Sequence, residues 1–146
     1  MVRVVRYLKS WCDNKREDMP SGLAMTILAL KYHQENVRDD VSLKFTLIEI
    51  EKALKNKFEC IMPTTPYDDL FENYSETKKT NFMNNLSSFI EDARKAIDEK
   101  NKLKTSNLWR KHLGDRFPQG DDVDEGSSNS SKLASIIGGS KPYFKC

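Results

Sequence analysis

The sequence predicts an all-α fold, a bundle of about five helices with one long proline-containing loop and a flexible C-terminal tail. Apolar residues recur at three- and four-residue steps over most of residues 1–118, which is the spacing of helices that bury one face. No alternation of apolar and polar residues is long enough for a sheet, and no internal repeat is present. The length of 146 residues suits one domain with a core, followed by a tail.

The first helix is predicted from the first residues of the chain onwards. Its packing face consists of Val4, Val5, Leu8, Trp11 and Cys12. The opposite face is mostly cationic and consists of Arg3, Arg6, Lys9 and Asp13. No Ser, Thr, Asp or Asn precedes this helix, so the amide groups of its first turn lack the usual acceptor. We therefore expect further sequence upstream and interpret the chain as part of a larger protein.

Two more helices are predicted in the first half of the chain. A turn through Pro20 leads into the second helix, which runs from Leu23 to about Gln34. Because this helix has almost no polar face, we expect its neighbours to enclose it on most sides, at the centre of the bundle. A third helix is expected to begin at about Val41, after two aspartates, with an apolar stripe of Leu43, Leu47, Ile50, Leu54 and Phe58.

A long loop separates the third helix from the fourth. Pro63 and Pro66 exclude a helix in residues 60–70, which predicts an extended, ordered segment. The fourth helix is predicted from about residue 75 or 77 to about Leu103, with Phe82 and Phe89 on its apolar stripe. Its solvated outer face is expected to carry Glu91, Asp92, Arg94, Lys95 and Asp98.

The last predicted helix is short and contains residues 107–113. It is expected to end at Gly114, since glycine suits the positive φ of a helix C-cap. From Gln119 to Ser131 the chain lacks the apolar surface that would offset the entropy cost of ordering. Residues 132–146 are expected to form either a poorly ordered continuation or a docking peptide. We therefore divide the chain into a helical domain, residues 1–118, and a flexible tail, residues 119–146.

Composition excludes several classes of function. The 24 Lys and Arg residues face 22 Asp and Glu residues, so the net charge of +2 creates no global field that indicates a nucleic-acid partner. Cys12, Cys60 and Cys146 are far apart and no signal peptide is present, which favours reduced thiols in a cytoplasmic protein. Close Cys or His pairs typical of zinc sites are absent. The longest apolar run is less than half of the roughly 20 residues that a membrane span requires.

Phosphate binding is the chemistry that the residues favour most. Arg6 and Lys9 lie on the first helix, and Ser21 lies in the turn before the second. Lys9 would supply a mobile positive charge, Ser21 a hydroxyl donor, and the start of the second helix a positive dipole end. Taken alone, the same residues also fit a solvated helix face and an ordinary helix cap.

Four blocks of the chain carry a resemblance to a known family. They are residues 3–11, 20–30, 61–70 and 108–118, which read RVVRYLKSW, PSGLAMTILAL, IMPTTPYDDL and LWRKHLGDRFP. In order and spacing these blocks resemble the C-terminal helical half of the cGAS/DncV-like nucleotidyltransferases. Enzymes of that family make cyclic oligonucleotide signals from nucleoside triphosphates in bacterial antiviral defence.

The resemblance implies roles for four residues. Lys9 and Ser21 match the positions that contact the triphosphate of the donor nucleotide, such as ATP. Arg6 is assigned from its charge on the same helix, where it would add positive potential beside them. Asp68 or Asp69, in the long loop, would bias the choice of nucleobase. Family members often carry an aspartate before the Pro-Thr of this loop, where this chain has Met62, so the role of that aspartate is not carried over.

The resemblance also implies what lies outside this chain. The complete enzyme would use Mg²⁺, held by carboxylates of an upstream nucleotidyltransferase core, and this chain alone would be inactive. The expected partners are that core, the nucleotide substrates, and conjugation or regulatory proteins of a defence operon. Gly139-Ser140 and the Asp122/Asp124 pair imitate motifs of the core in the wrong order, and we reject both.

A free-standing helical protein-interaction module with no nucleotide role is the alternative function. Tyr67 is compatible with either a base-covering or a turn-stabilising role. Under both functions, we interpret the remaining conspicuous side chains as structural. Those expected in the core are Trp11, Trp109, Phe82, Phe89, Cys12 and Cys60, and those expected to be partly exposed on helices are His33 and His112.

Overall fold

The structure, a computed structural model, describes residues 2–124. Five helices form a bundle within this range: α1 (Val2–Lys15), α2 (Gly22–Tyr32), α3 (Asp39–Asn56), α4 (Glu76–Asp98) and α5 (Lys102–Leu113). Two isolated bridges are the only strand-like pairings between residues 2 and 124, so the predicted all-α bundle is confirmed. The predicted tail from residue 125 to Cys146 lies outside the described residues.

Side-chain caps determine where three of the helices begin. Ser21 accepts a hydrogen bond from the Ala24 amide at 3.2 Å and so starts α2. Ser75 and Asn101 act in the same way, at 3.1 Å and 3.0 Å, for α4 and α5. Each cap satisfies one of the amides that a helix leaves unpaired at its first turn. None of the helices found in residues 2–124 has the length and apolar character needed to cross a membrane.

An aromatic core lies between the helices. The Trp11 ring on α1 packs against Phe82 and Phe89 of α4, with centroids 5.9 Å and 5.1 Å apart. Trp109 of α5 meets Phe89 edge-on at 6.1 Å. Trp11, Trp109, Phe82 and Phe89 are all buried, so the predicted core is confirmed. Helix α1 contacts α2, α3 and α5.

The two described cysteines are buried as predicted. Burial raises the pKa of the Cys12 thiol to about 12, with a smaller effect from Asp13. Burial likewise raises the pKa of Cys60 to about 11, mainly by desolvation. Both thiols therefore stay protonated at neutral pH and act as small apolar residues.

Helix α2 is not at the centre of the bundle, so that prediction is wrong. It packs mainly on α1 and α3, and its buried residues face those two helices. Leu23 and Leu30 are 54% and 62% exposed, although both are apolar. The composition of α2 indicated burial on all sides, yet within residues 2–124 only one side is covered.

The boundary between α4 and α5 also differs from the prediction. Helix α4 ends at Asp98 rather than near Leu103, and α5 begins at Lys102 rather than near Asn107. Glu99 takes an extended conformation and Asn101 caps the new helix. Apolar spacing continues across this break, so the periodicity alone did not reveal it.

The loop of residues 60–70 is ordered and non-helical, as predicted. Its two ends are joined by hydrogen bonds from the Met62 amide to the Asp68 carbonyl at 2.7 Å and from the Leu70 amide to the Cys60 carbonyl at 2.8 Å. Asp69 reinforces this closure, because its carboxylate accepts hydrogen bonds from the amides of Cys60 and Phe71, both at 2.9 Å. The loop therefore forms a closed, hairpin-like projection.

The first residues of the predicted tail contact α5. The Gly120 amide donates to the Ser106 hydroxyl at 2.7 Å, and the Lys102 amide donates to the Val123 carbonyl at 3.0 Å. The Asn101 side chain donates to the carboxylates of Asp122 and Asp124 at 2.9 Å and 3.2 Å. Residues 119–124 thus lie along the start of α5.

Candidate functional site

An open cleft of about 820 Å³ is the candidate site. Three segments line it: residues of the second half of α1 together with Arg16 just after it, the turn through residues 19–22, and residues 113–116 at the end of α5. Lys9 and Ser21, the two residues assigned to the triphosphate from the sequence, both line this cleft. The fold therefore brings the two together at one surface.

The turn after α1 explains why Ser21 lies beside Lys9. Arg16 and Asp18 take positive φ angles of 60° and 59°, and these reverse the chain after the helix. Met19 and Pro20 are then buried, which fixes the turn against the bundle. A Cβ atom at Gly22 would lie 3.7 Å from Cε of Lys9, so the lysine stem runs alongside the start of α2.

The start of α2 presents unpaired donors to the cleft. Ser21 accepts a hydrogen bond from Ala24 through its hydroxyl oxygen, and the hydroxyl hydrogen can still be donated outwards. The amides of Gly22 and Leu23 belong to the first turn, where no intrahelical acceptor exists. These groups and the helix dipole favour an anion at this end of α2.

The cleft carries both positive and negative side chains, and only some of them form ion pairs. Its basic residues are Lys9, Arg16 and Arg116, and its acidic residues are Asp13 and Asp115. Asp115 already pairs with a guanidinium of α5 at 3.3 Å. Lys9 has no ion-pair partner within residues 2–124 and is exposed. Asp13 is likewise in no ion pair among the described residues. With three basic and two acidic side chains in the cleft, an incoming anion would meet a small excess of positive charge.

Asn14 connects the α1 side of the cleft to the end of α5. Its side-chain amide donates to the carbonyls of His112 at 3.1 Å and Lys111 at 3.4 Å. Gly114 ends α5 with φ of 92°, as predicted for a C-cap glycine, and a Cβ atom there would lie 3.0 Å from the Asn14 side-chain oxygen. A larger residue at position 114 would therefore require the Asn14 side chain to shift.

The other sequence-assigned residues lie outside the cleft. Arg6 is half-buried on α1 and is not among the residues that line the cleft. Asp68 and Asp69 lie in the 60–70 loop, which does not line it either. The Asp69 carboxylate closes the loop, whereas Asp68 is exposed. Tyr67 is 60% exposed, with φ of 62°.

The cleft does not fit a Mg²⁺ ion held by this part of the chain. Within residues 2–124, no three His, Cys, Asp or Glu side chains are grouped so that they could hold a metal. Of the two carboxylates in the cleft, Asp115 is engaged by an arginine. The pair Asp122 and Asp124, already rejected as a metal motif, is hydrogen-bonded to Asn101.

A buried histidine was missed by the sequence interpretation. His112 is fully buried, so the prediction of a partly exposed residue is wrong, and its Nε2 lies 2.7 Å from Oδ2 of Asp92. Asp92 is itself buried rather than on the solvated face of α4, and it accepts a second contact from Lys111 at 2.8 Å. The ring of Phe89 stacks on His112 at 4.6 Å.

The surroundings of this pair favour neutral His112 and charged Asp92. Burial lowers the pKa of His112 and outweighs the opposing effect of Asp92. Burial acts to raise the pKa of Asp92, but hydrogen bonds from Lys111 and His112 outweigh it and lower that pKa. The Nδ1 atom of His112 is buried without a partner among the described residues. The sequence did carry one indication that both residues are buried. Asp92 follows the core residue Phe89, and His112 follows the core residue Trp109, by one helical turn.

A second groove, of about 660 Å³, lies between α4 and α5 and carries Lys95, Lys104 and Lys111. Lys95 pairs with Glu91 at 3.4 Å and Lys111 pairs with Asp92 at 2.8 Å. Two of its three lysines are therefore already engaged, unlike Lys9 in the first cleft. This groove is the weaker candidate for a polyanion.

No protein-family model matches the chain.

Proposed function

We propose that this helical bundle forms the triphosphate-binding wall of a nucleotidyltransferase that joins nucleoside triphosphates into cyclic oligonucleotide signals in antiviral defence. The observation that carries the proposal is the convergence of Lys9, Ser21 and the start of α2 on one open cleft. The catalytic carboxylates and their Mg²⁺ would belong to another part of the protein. Cys12 and Cys60 are both free thiols, as expected for reduced cysteines at the proposed cytoplasmic location.

Each group at the cleft has a distinct task. Lys9 brings a mobile ammonium that can follow the phosphates during binding and release. Ser21 and the first amides of α2 supply hydrogen-bond donors with fixed directions, which orient the bound triphosphate. Arg6, one turn before Lys9 on α1, contributes only to the local potential, because it does not reach the cleft.

Asp68 and Asp69 of the 60–70 loop differ in how free they are to contact a nucleobase. The Asp69 carboxylate is occupied by two backbone amides, so replacing it would disturb the loop itself. Asp68 is exposed. We therefore assign the proposed bias in base choice to Asp68 rather than to Asp69.

Nuclear magnetic resonance of the ¹⁵N-labelled 146-residue chain tests the proposal. Titration with ATP is expected to shift the amide signals of Gly22, Leu23 and Ala24, and AMP at equal concentration is expected to shift them far less. This readout detects millimolar binding, which suits a site that forms only one wall of a pocket. If ATP leaves the signals of the α2 start unshifted, the proposal is wrong.

Variants make the same experiment specific. Lys9→Ala is expected to weaken ATP binding about threefold, the scale of an exposed charge contact. Lys52→Ala is the matched control, since Lys52 is 70% exposed on α3 and its contact with Glu49 is a long 3.7 Å. Equal effects of the two substitutions would mean that only general charge is sensed. In the complete reading frame, the proposal also expects Gly-Ser followed by paired Asp residues upstream of this chain.

A helical protein-interaction module remains the second candidate, and one observation favours it. Leu23, Ile27 and Leu30 lie at helical spacing on α2, and the first and last are 54% and 62% exposed. Apolar helix faces of this kind often bind a partner. This function predicts that Leu30→Glu abolishes partner binding and that Lys9→Ala leaves the function unchanged, whereas the nucleotide function predicts loss of activity with Lys9→Ala.

A further inference from the structure

We propose that Arg116 is a further phosphate-binding residue, reaching the triphosphate from a second wall of the cleft. This inference rests on the proposed function, since it adds a contact to the same site. Helix α1 packs against both α2 and α5. The start of α2 and the chain after α5 therefore flank the end of α1, and both line the cleft.

The chain on either side of Arg116 is held in place. The Gly114 amide donates to the Arg110 carbonyl at 2.9 Å, and the Phe117 amide donates to the Gly114 carbonyl at 3.2 Å. Phe117 is inserted into the core and is only 5% exposed. Arg110 also donates to the carbonyls of Asp115 and Phe117. Arg116 thus projects from a short segment whose two neighbours are both anchored.

Arg116 differs from the other charged residues of this segment because it is unengaged. It is exposed and has no hydrogen-bond or ion-pair partner among residues 2–124. Arg110, by contrast, is used to fix the segment and pairs with Asp115 at 3.3 Å. Arg16, elsewhere in the cleft, donates its Nε–H to the Asp13 carbonyl at 3.1 Å. The guanidinium of Arg116 is therefore available to bind an anionic ligand at the start of α2.

The chemistry of the two basic residues is complementary. A guanidinium binds phosphate oxygens with two parallel hydrogen bonds, whereas an ammonium acts as a point charge. A triphosphate offers several phosphoryl groups, so Arg116 can grip one while Lys9 and Ser21 hold another. Asn14 serves as the positioning residue, because it fixes the end of α5 against α1.

Titration of the full chain with inorganic triphosphate, followed by the Gly22 amide signal, tests this inference. Arg116→Gln is expected to weaken binding about fivefold, and Arg116→Lys is expected to recover only part of the loss because the bidentate contact is missing. The Nε–H signal of Arg116 is expected to shift as ligand is added. Arg94→Gln, on the exposed face of α4, removes the same charge away from the cleft and is expected to leave affinity unchanged.

The outcomes separate this inference from the proposed function. If the unmodified chain binds, Lys9→Ala weakens binding and Arg116→Gln does not, only the role of Arg116 is overturned. If the unmodified chain does not bind, the proposed function fails with it. Equal losses with Arg116→Gln and Arg94→Gln would also overturn a direct contact. Binding of ATP and inorganic triphosphate but not AMP assigns the contact to the phosphate chain, and tighter binding of ATP identifies the nucleotide as the ligand.

Discussion

Gly114→Ala is the substitution to which the geometry of the cleft is most sensitive. Gly114 has φ of 92° and ψ of 179°, a conformation that residues with a side chain rarely adopt. The added Cβ would also lie 3.0 Å from the Asn14 side-chain oxygen, closer than ordinary contact. The substitution therefore strains the backbone and pushes on the side chain that joins α1 to α5.

The expected cost can be worked from these two effects. Strain at a backbone conformation of this kind costs about 1–3 kcal/mol. Weakening the 3.1 Å hydrogen bond from Asn14 to the His112 carbonyl adds about 1 kcal/mol. The free energy of unfolding should thus fall by about 2–4 kcal/mol, a large share of the roughly 5–15 kcal/mol available to a small domain.

Urea unfolding followed by circular dichroism measures this loss. With a denaturant slope of about 1–3 kcal/mol per molar, the midpoint should fall by at least about 0.7 M. Gly22→Ala is the matched control: its Cβ would meet Lys9 at an ordinary 3.7 Å, so stability should change by at most about 1 kcal/mol. A Gly114→Ala midpoint equal to that of the unmodified chain would refute the reasoning.

Three further predictions concern the surroundings of the cleft. Asn14→Ala should lower the free energy of unfolding by about 1 kcal/mol, measured with urea. In the double variant, Gly114→Ala should cost less than it does alone, because the close contact with the Asn14 side chain is gone. Strictly additive losses would contradict this prediction. Ser21→Ala should cost about 1 kcal/mol through loss of the cap and also weaken ATP binding, whereas Ser75→Ala should cost the same and leave binding unchanged. Acidification below 6.5, the ordinary pKa of histidine, should lower the free energy of unfolding, because burial lowers the pKa of His112 in the folded chain and the unfolded chain takes up the proton first. His112→Gln should remove this part of the pH dependence. An unchanged dependence of the free energy of unfolding on pH would contradict the prediction.

Much of the fold could be predicted because periodicity and caps are local signals. Ser21 and Ser75 start their helices as the sequence indicates, and Gly114 ends the last one. The break between α4 and α5 was missed because the backbone leaves the helical conformation at Glu99 and a new helix starts at Asn101, while the apolar spacing continues. The prediction that α2 lies at the centre of the bundle was wrong because composition shows how apolar a helix is but does not show which helices pack against it.

The candidate site was only partly predictable, for a related reason. Lys9 and Ser21 are separated by one turn, so their proximity follows from local structure. Arg116 reaches the same cleft only through the packing of α1 against α5, which no local pattern reports. The pairing of His112 with Asp92 likewise depends on how two helices meet, although both residues follow aromatic core positions.

A crystal structure of the chain with bound ATP would test the triphosphate-binding role most directly. The expected result is a triphosphate in the cleft, with phosphate oxygens at hydrogen-bonding distance, about 2.7–3.2 Å, from Nζ of Lys9 and from the amides at the start of α2. Arg116 should contact a different phosphoryl group from Lys9. A triphosphate bound instead along the groove of Lys95, Lys104 and Lys111, with only solvent between Lys9 and Ser21, would contradict the proposed site.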